Sequence, residues 1–324
     1  MRYFITGCTG FIGIHLCRRL LAEGHQLYGL VRNRSKLPAD VAAGMQLVEG
    51  DLGLFAKSGL QLPEVDVFVH LAAIVNGNSP EMFMHYNHQA VSDILDRLNE
   101  QNWKLRRFLL FSSLAAAGPN ITGRPLTEND MPNPVDPYGE AKLKAEELLA
   151  DQPFPTTIVR PPVVIGPGDP AMLTVFKMVR NGLMPLPAGK AQRLSYIDVD
   201  DLVDAILILV KEMSDLNRLY FLTNESPLDT KQLARVIAEV MQKRVIFLPV
   251  PRSFMWVLMK LSTFASKLFG VKNVFDERTY KQMLIPSFVC TSSLFSRETG
   301  WKATCSLTET ISKTVEGYRK SGWI

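Results

Sequence analysis

Thr6-Gly7-Cys8-Thr9-Gly10-Phe11-Ile12-Gly13 follows the apolar run Tyr3-Phe4-Ile5 and opens the apolar-periodic segment Ile14 to Leu21. The stretch reads as a strand, a glycine turn and the start of a helix. Gly7 allows a tight turn, Gly10 lets backbone approach a pyrophosphate with no Cβ in the way, and Gly13 lets the helix pack closely on the strand. A helix N-terminus with free N–H groups and the positive end of its dipole then receives phosphates. The spacing is G-x-x-G-x-x-G rather than G-x-G-x-x-G, and a corner of this kind also needs glycines for packing alone. Residues further along the chain decide between the two.

Outward from that corner the pattern repeats. After a helix over about 11–23, Gly24-His25 makes a turn and Gln26 to Val31 reads as a second strand. Met45 to Glu49 is a third strand, Val65 to His70 a fourth and Arg107 to Phe111 a fifth, with a helix from about 83 to 101 before the last. Strands written as continuous apolar runs and alternating with helices predict an α/β fold built on a Rossmann-type doubly wound parallel sheet. Ligands of such sheets bind beyond the carboxyl ends of the strands, so the loops after residues 6, 31, 50, 70 and 111 share one rim.

On that rim, the residue roughly 20 positions past the glycines meets the adenosine ribose, where an acid suits the 2′-OH and an arginine a 2′-phosphate. Arg32 stands 19 positions after Gly13, which favours NADP over NAD; a solvated basic loop is the other reading. Asp51 is placed either to accept from the adenine amino group or to cap a helix. The small residues of Leu71-Ala72-Ala73 let a ligand lie against backbone.

Composition bounds the rest. A chain of 324 residues with 47% hydrophobic and 21% charged residues has the makeup of a soluble globular protein, large enough for a main α/β unit and a smaller lobe. The net charge of +4 is spread without a Lys/Arg run, which argues against a nucleic-acid partner. Cys8, Cys17, Cys290 and Cys305 have no metal-ligand spacing, and His85 and His88 lie three apart with no third ligand in sight, so no metal is expected. The early core strand leaves no room for a signal peptide and Ala205 to Val210 is too short to span a bilayer, so a cytoplasmic location is expected.

The chemistry lies further along. The fifth strand ends at Ser112-Ser113 and runs through Leu114 to Gly118 into a Pro/Asn-rich loop, followed by Asp136-Pro137-Tyr138-Gly139-Glu140-Ala141-Lys142. Asp136 is a plausible N-cap with Pro137 at the first helical position, so Tyr138 and Lys142, four apart, share a helix face. A carbonyl receiving a hydride needs a proton, and a phenol with a reference pKa near 10 is a reluctant donor–acceptor at neutral pH. A lysine cation in contact favours the phenolate by about 1–3 pKa units. The bland alternative is an aromatic packed beside an exposed lysine, yet Tyr138 is the one tyrosine with lysine at the fourth position onward.

These pieces resemble the extended short-chain dehydrogenase/reductase family in its NAD(P)-dependent epimerase/dehydratase branch. The matching stretches are Thr6 to Gly13, Gly50-Asp51-Leu52, His70 to Ala73, Asn87, Ser112-Ser113, Tyr138 with Lys142, Arg160 to Gly168, and Tyr196 to Leu202, in family order over the first 200 residues or so. The resemblance implies Tyr138 as acid/base, Lys142 as its partner and a holder of the nicotinamide ribose, and Ser113 as donor to the substrate oxygen. Ser113 is preferred to Ser112 because the family's catalytic hydroxyl lies about five residues before the loop glycine, here Gly118. It further implies that Thr6, Gly7, Thr9, Gly10, Phe11, Ile12, Gly13, Asp51, Leu52, Leu71, Ala72 and Ala73 hold the cofactor, and that Pro161 to Val163 line the nicotinamide. Asn87 and Arg193 are the candidate substrate contacts, Arg193 reading equally as a surface residue.

Two departures narrow the reaction. Family 4,6-dehydratases carry an Asp-Glu pair after the catalytic hydroxyl, where this chain has Leu114-Ala115. Epimerases of the family usually keep an acid at the end of the second strand and often a tyrosine before the loop glycine; this chain has Arg32 and Ala117. Both favour an NADP-dependent dehydrogenase or reductase akin to the dihydroflavonol-reductase and hydroxysteroid-dehydrogenase relatives. An NAD-dependent sugar-nucleotide epimerase and a non-enzymatic nucleotide-binding regulator are the alternatives.

Residues 1–165, with 190–215 returning, are expected to form the dinucleotide-binding domain and 166–324 mainly a substrate lobe, including a loop at Pro185-Leu186-Pro187 and the segment Leu219 to Thr223. Phe254, Val257, Leu258, Leu261, Ala265, Leu268 and Phe269 form an apolar stripe at helical spacing, interrupted by Lys260 and Lys267. It reads as core or as the wall of a pocket for a bulky apolar substrate, with membrane-surface contact as the other reading. A small-molecule substrate is the expected partner, and a homodimer is compatible with the sequence.

Overall fold

Seven parallel strands form the main sheet of the computed structural model, which describes residues 1–57, 59–77, 79–187, 191–211, 218–269 and 277–324. They are Arg2–Thr6 (β1), Gln26–Val31 (β2), Met45–Glu49 (β3), Val67–His70 (β4), Arg107–Phe111 (β5), Thr156–Arg160 (β6) and Arg218–Phe221 (β7), in the order β3-β2-β1-β4-β5-β6-β7. The strand order reverses direction beside β1, which creates the crevice between β1 and β4 where a doubly wound sheet takes a ligand. The expected fold class is therefore the observed one.

Both faces of the sheet are covered, which is why the middles of its central strands are apolar on both sides. On one face Phe4, Phe68 and Phe108 stack at 5.1 and 5.2 Å between centroids and pack with Val91, Ile94, Leu98, Ala145 and Leu149. On the other, Ile5, Val69, Leu109 and Val159 meet Leu16 and Leu20 of the helix Phe11–Ala22 (α1) together with Leu202 and Ile206. Alternate residues of each strand serve alternate faces, as the pleat requires.

Four expectations need correction. The helix expected from about 83 starts at Pro80, capped by Ser79, and passes through a π-helical turn at Met84–Gln89 before Ala90–Glu100. The Ser-Pro start signal lies ahead of the apolar periodicity, which alone places the start too late. Pro185 to Pro187 is not a loop but the end of a strand, Leu183–Pro187, which among the described residues pairs only with Ile246–Val250; a strand with one ladder partner tolerates proline on its free edge.

The third correction concerns domain boundaries. Arg218–Phe221 belongs to the main sheet as β7, where it covers what would be an open edge of β6, so the return to the main unit runs past 215. Residues 190 and 212–215 of the expected return lie outside the described residues. Phe295 and Trp301 also pack into the core around Leu16 and Ile206, so the chain after 166 crosses between the two parts more than once. The fourth correction is the apolar stripe. The helix Arg252–Phe269 packs through Met255 and Met259, and leaves Phe254, Val257, Leu258, Leu261 and Leu268 exposed instead of in a core or pocket wall. The side chains of Lys267 and Phe269 lie outside the described residues.

Candidate active site

The glycine corner divides into two functions when each missing side chain is considered. Gly7 has φ +74°, and a Cβ there would meet Ala72 N at 2.6 Å; a Cβ on Gly13 would meet the Gly7 carbonyl oxygen at 2.2 Å. Those two glycines serve the turn and the close approach of α1. Gly10 is exposed, and the only neighbour of a Cβ there is Gly7 O at 3.2 Å. It stands at the N-cap of α1 with no side-chain cap and no acid in the first turn, so no side chain of its own occupies the positive end of the helix dipole. This is the opening an anionic pyrophosphate fits, and it makes the corner compatible with a dinucleotide.

Around it the expected cofactor residues take mixed positions. Thr6 is buried, with its Oγ1 sharing a 2.8 Å hydrogen bond with His70 Nδ1, and the backbone of Leu71 and Ala72 closes against it. Burial, and then the charge of Lys142, push the His70 pKa down to about 3, so this imidazole is neutral. Arg32 is exposed just beyond β2 and makes no ion pair among the described residues, whereas Arg34 pairs with Glu49 at 2.6 Å. Asp51 caps the turn Leu52–Leu54 by accepting from Gly53 N–H at 3.0 Å through Oδ1.

The helix Pro137–Glu147 (α2) has the expected start: Asp136 accepts from Gly139 N–H at 2.8 Å and Pro137 stands at the first helical position. Gly139 lets α2 lie directly against the turn after β5, since a Cβ on it would meet the Ala115 carbonyl oxygen at 2.3 Å. This close approach brings Tyr138 beside the turn that carries Ser113. Ser113 accepts from Ala115 N–H at 3.1 Å, which leaves its own hydroxyl proton to donate elsewhere. Ser112, its neighbour, is buried on the other side of the strand and donates to Glu146.

Ser113 and Tyr138 line one cleft of about 390 Å³ together with Leu114, Ala115, Pro162, Val163 and residues from later segments. Lys142 is buried one turn along α2, its Nζ donating to the Phe111 carbonyl oxygen at 2.5 Å. Burial lowers its pKa to about 8 against the opposing pull of Glu146, so it is charged at neutral pH and loses its proton as pH rises through 8. Under it, Arg160 Nε donates to Glu146 Oε1 at 2.9 Å and Nη2 to Oε2 at 2.5 Å, with both side chains almost fully buried. The guanidinium also lies over the Phe221 ring at 5.7 Å.

Three expected contacts are not in the cleft. Asn87 bonds Ile74 through its amide, accepting from the N–H at 2.8 Å and donating to the carbonyl at 2.9 Å, so it braces the loop after β4 and does not line this cleft. Arg193 is exposed, while its chain neighbours on either side, Gln192 before the short strand Arg193–Leu194 and Leu194 within it, line the cleft. Pro161 is buried and its carbonyl is taken by Leu114 N–H at 2.9 Å; Pro162 and Val163 face the opening.

The roof of the cleft is not among the residues expected from sequence. The helix Glu277–Leu284 contributes Thr279, Gln282 and Met283, and Phe288 comes after it. Gln192 Nε2 donates to the carbonyls of Gln282 and Ile285 at 3.0 and 2.8 Å, while Gln282 donates to Asp136, tying the roof to the start of α2. No motif announces these residues.

A family model for the NAD dependent epimerase/dehydratase family matches residues 3–220, and the chain belongs to that family. It is 25% identical over 327 residues to the UDP-glucose 4-epimerase of Vibrio cholerae, covering 97% of this chain and 94% of that one. It is equally 25% identical over 328 residues to the ceramide reductase of Caulobacter vibrioides, covering 99% and 95%. MoeE5, solved in complex with UDP-glucuronic acid and NAD, shares the fold with a TM-score of 0.77 at 19% identity, over 99% of this chain and 100% of that one. The chain is thus an enzyme of the extended short-chain dehydrogenase/reductase type, among NAD-dependent oxidoreductases and epimerases.

Two outcomes test this geometry. Gly13→Ala should cost about 1–3 kcal/mol in urea unfolding because backbone has to move, while Gly10→Ala stays within about 1 kcal/mol and weakens nucleotide binding in a fluorescence titration. Glu146→Ala, which strands a buried arginine, should cost about 3–5 kcal/mol in the same unfolding measurement.

Proposed function

We propose that this enzyme is an NAD(P)-dependent dehydrogenase or reductase acting on an alcohol/ketone pair with an apolar body. The observation that carries the reading is the cleft itself. Ser113 and Tyr138 line it together, Ser195 and Thr279 add two further hydroxyl groups, and none of its described lining residues is charged. A sugar nucleotide brings a diphosphate, which cations usually meet; the described walls here offer Leu194, Met283 and Phe288 instead. Leu114 and Ala115, in the cleft where a dehydratase would hold its acid and base, leave no group for eliminating water.

Bound nicotinamide supplies the hydride in reduction and accepts it in oxidation. Tyr138 gives its phenolic proton to the carbonyl oxygen as the hydride reaches the carbon, so the ketone gains one hydride and one proton and becomes the alcohol. Ser113 donates its remaining hydroxyl proton in a hydrogen bond to the same oxygen as charge develops there. The buried Lys142 ammonium stands one helical turn away and supports the ionised phenol between turnovers. Oxidation runs the same steps backwards.

Arg32 supports NADP as the finer choice of cofactor: it is an exposed guanidinium without an ion pair among the described residues, at the end of the strand that meets the ribose. The epimerase alternative draws on the likeness to the Vibrio cholerae enzyme over nearly the full chain. It would carry its nicotinamide through purification and show no net change in nicotinamide absorbance during turnover.

Tyr138→Phe should lower kcat at least about 100-fold, the low end of what a positioned acid supplies, with nicotinamide binding unchanged by titration; full activity in this variant would overturn the reading. Arg32→Ala should lose about tenfold or more in affinity for NADPH relative to NADH, the equivalent of roughly 1.4 kcal/mol, measured by paired titrations. An unchanged preference would remove Arg32 as the reader of the 2′-phosphate.

A further inference from the structure

The helix Arg252–Phe269 (α3) is amphipathic in the wrong sense for a globular surface. It attaches to the protein through Met255 and Met259, with Ser262 and Ser266 on the same side half-buried. The opposite side carries Phe254, Leu261, Phe264 and Leu268, between 55% and 65% exposed. Positions 254, 257, 258, 261, 264 and 268 fall on one continuous stripe at helical spacing. Immediately before it, the strand Ile246–Val250 exposes Ile246 and Leu248 as well. A contiguous apolar face of this size marks a contact surface.

Charge says what kind of contact. From Val240 to Phe275 the sequence contains no Asp or Glu, although acids and bases are nearly balanced over the chain as a whole. Lys243, Arg244, Arg252 and Lys260 are exposed and make no ion pair among the described residues. Lys260 lies over the Trp256 ring at 5.5 Å, beside the apolar stripe. Exposed aromatic and leucine side chains rimmed by unpaired bases, on a helix that cannot cross a bilayer, match the physics of a helix lying in a lipid headgroup layer.

We propose that α3 docks this enzyme on the surface of an anionic lipid bilayer, its apolar stripe in the acyl boundary and its bases against the headgroups. Docking stands independently of the hydride-transfer reading. It has one consequence for that reading: the helix Glu277–Leu284 (α4), which roofs the cleft with Gln282 and Met283, lies against α3, so docking would bring that roof near the lipid. An alcohol or ketone with an apolar body would partition to the same place.

The test is co-sedimentation of the full chain with phosphatidylcholine vesicles, with and without phosphatidylglycerol, read alongside tryptophan emission and gel filtration. The proposal expects the protein to pellet with the phosphatidylglycerol vesicles, less so in high salt, with a blue shift that Trp256→Phe abolishes while binding persists. Leu261→Ser with Phe264→Ser, both on exposed positions, should cut vesicle binding at least about tenfold, the effect of removing two buried apolar side chains, with the far-UV spectrum unchanged. Lys260→Glu should weaken binding only to the anionic vesicles. No sedimentation with either vesicle, or a dimer in solution that the Leu261/Phe264 variant dissociates into monomers, would overturn it; the second result would give the surface to another copy of this chain.

Discussion

Arg160 and Glu146 sit beneath the cleft with almost no access to water, joined by a two-pronged ion pair. Burying such a pair is costly unless every donor and acceptor is satisfied, and here Ser112 and the face of Phe221 complete the arrangement. The consequence is geometric. Glu146 is on the helix that carries Tyr138 and Lys142, Arg160 ends β6, and Ser112 ends β5 next to Ser113. One buried network therefore fixes the relative height of the helix and of the two strand ends that bound the cleft.

The second constraint acts on the backbone. Gly139 lets the helix approach Ala115, and Gly7 and Gly13 let α1 approach the β1 and β4 loops. At each point a single methyl group would separate elements that the site needs together. Gly10 is different: it is exposed at the helix N-terminus, where no side chain caps the helix and a Cβ would meet only the Gly7 carbonyl oxygen. The two roles look alike in sequence and separate only when the space around each glycine is known.

Much of this is legible in the sequence. The strand alternation, the glycine corner, the Asp136 cap and the Tyr138–Lys142 spacing depend on local chemistry, and local chemistry is written residue by residue. Asn87 and Arg193 do not take the positions expected of them because their roles depend on where a side chain points. One braces the loop at Ile74 from within a π-helical turn, and the other falls on the outward phase of a two-residue strand. The cleft roof of Thr279, Gln282 and Met283 is invisible in the sequence because its partners, Gln192 and Asp136, are remote in the chain. The apolar stripe of 254–268 is a stripe in both sequence and structure, but periodicity gives an apolar face and not what that face meets.

Under the proposed reading the cleft and the exposed helix would take one kind of substrate: uncharged where it meets the described walls, and apolar enough to share a surface with lipid. That is a different demand from the sugar nucleotides named for several of the proteins this chain is similar to. The most direct measurement supplies nicotinamide deuterated at the transferable position, together with an apolar ketone and UDP-glucose, and tracks the label by mass spectrometry. The account predicts deuterium on the carbinol carbon of the alcohol, matched by oxidation of the nicotinamide. Interconversion of UDP-glucose with its C4 epimer, with no ketone reduced and no nicotinamide consumed, would contradict it.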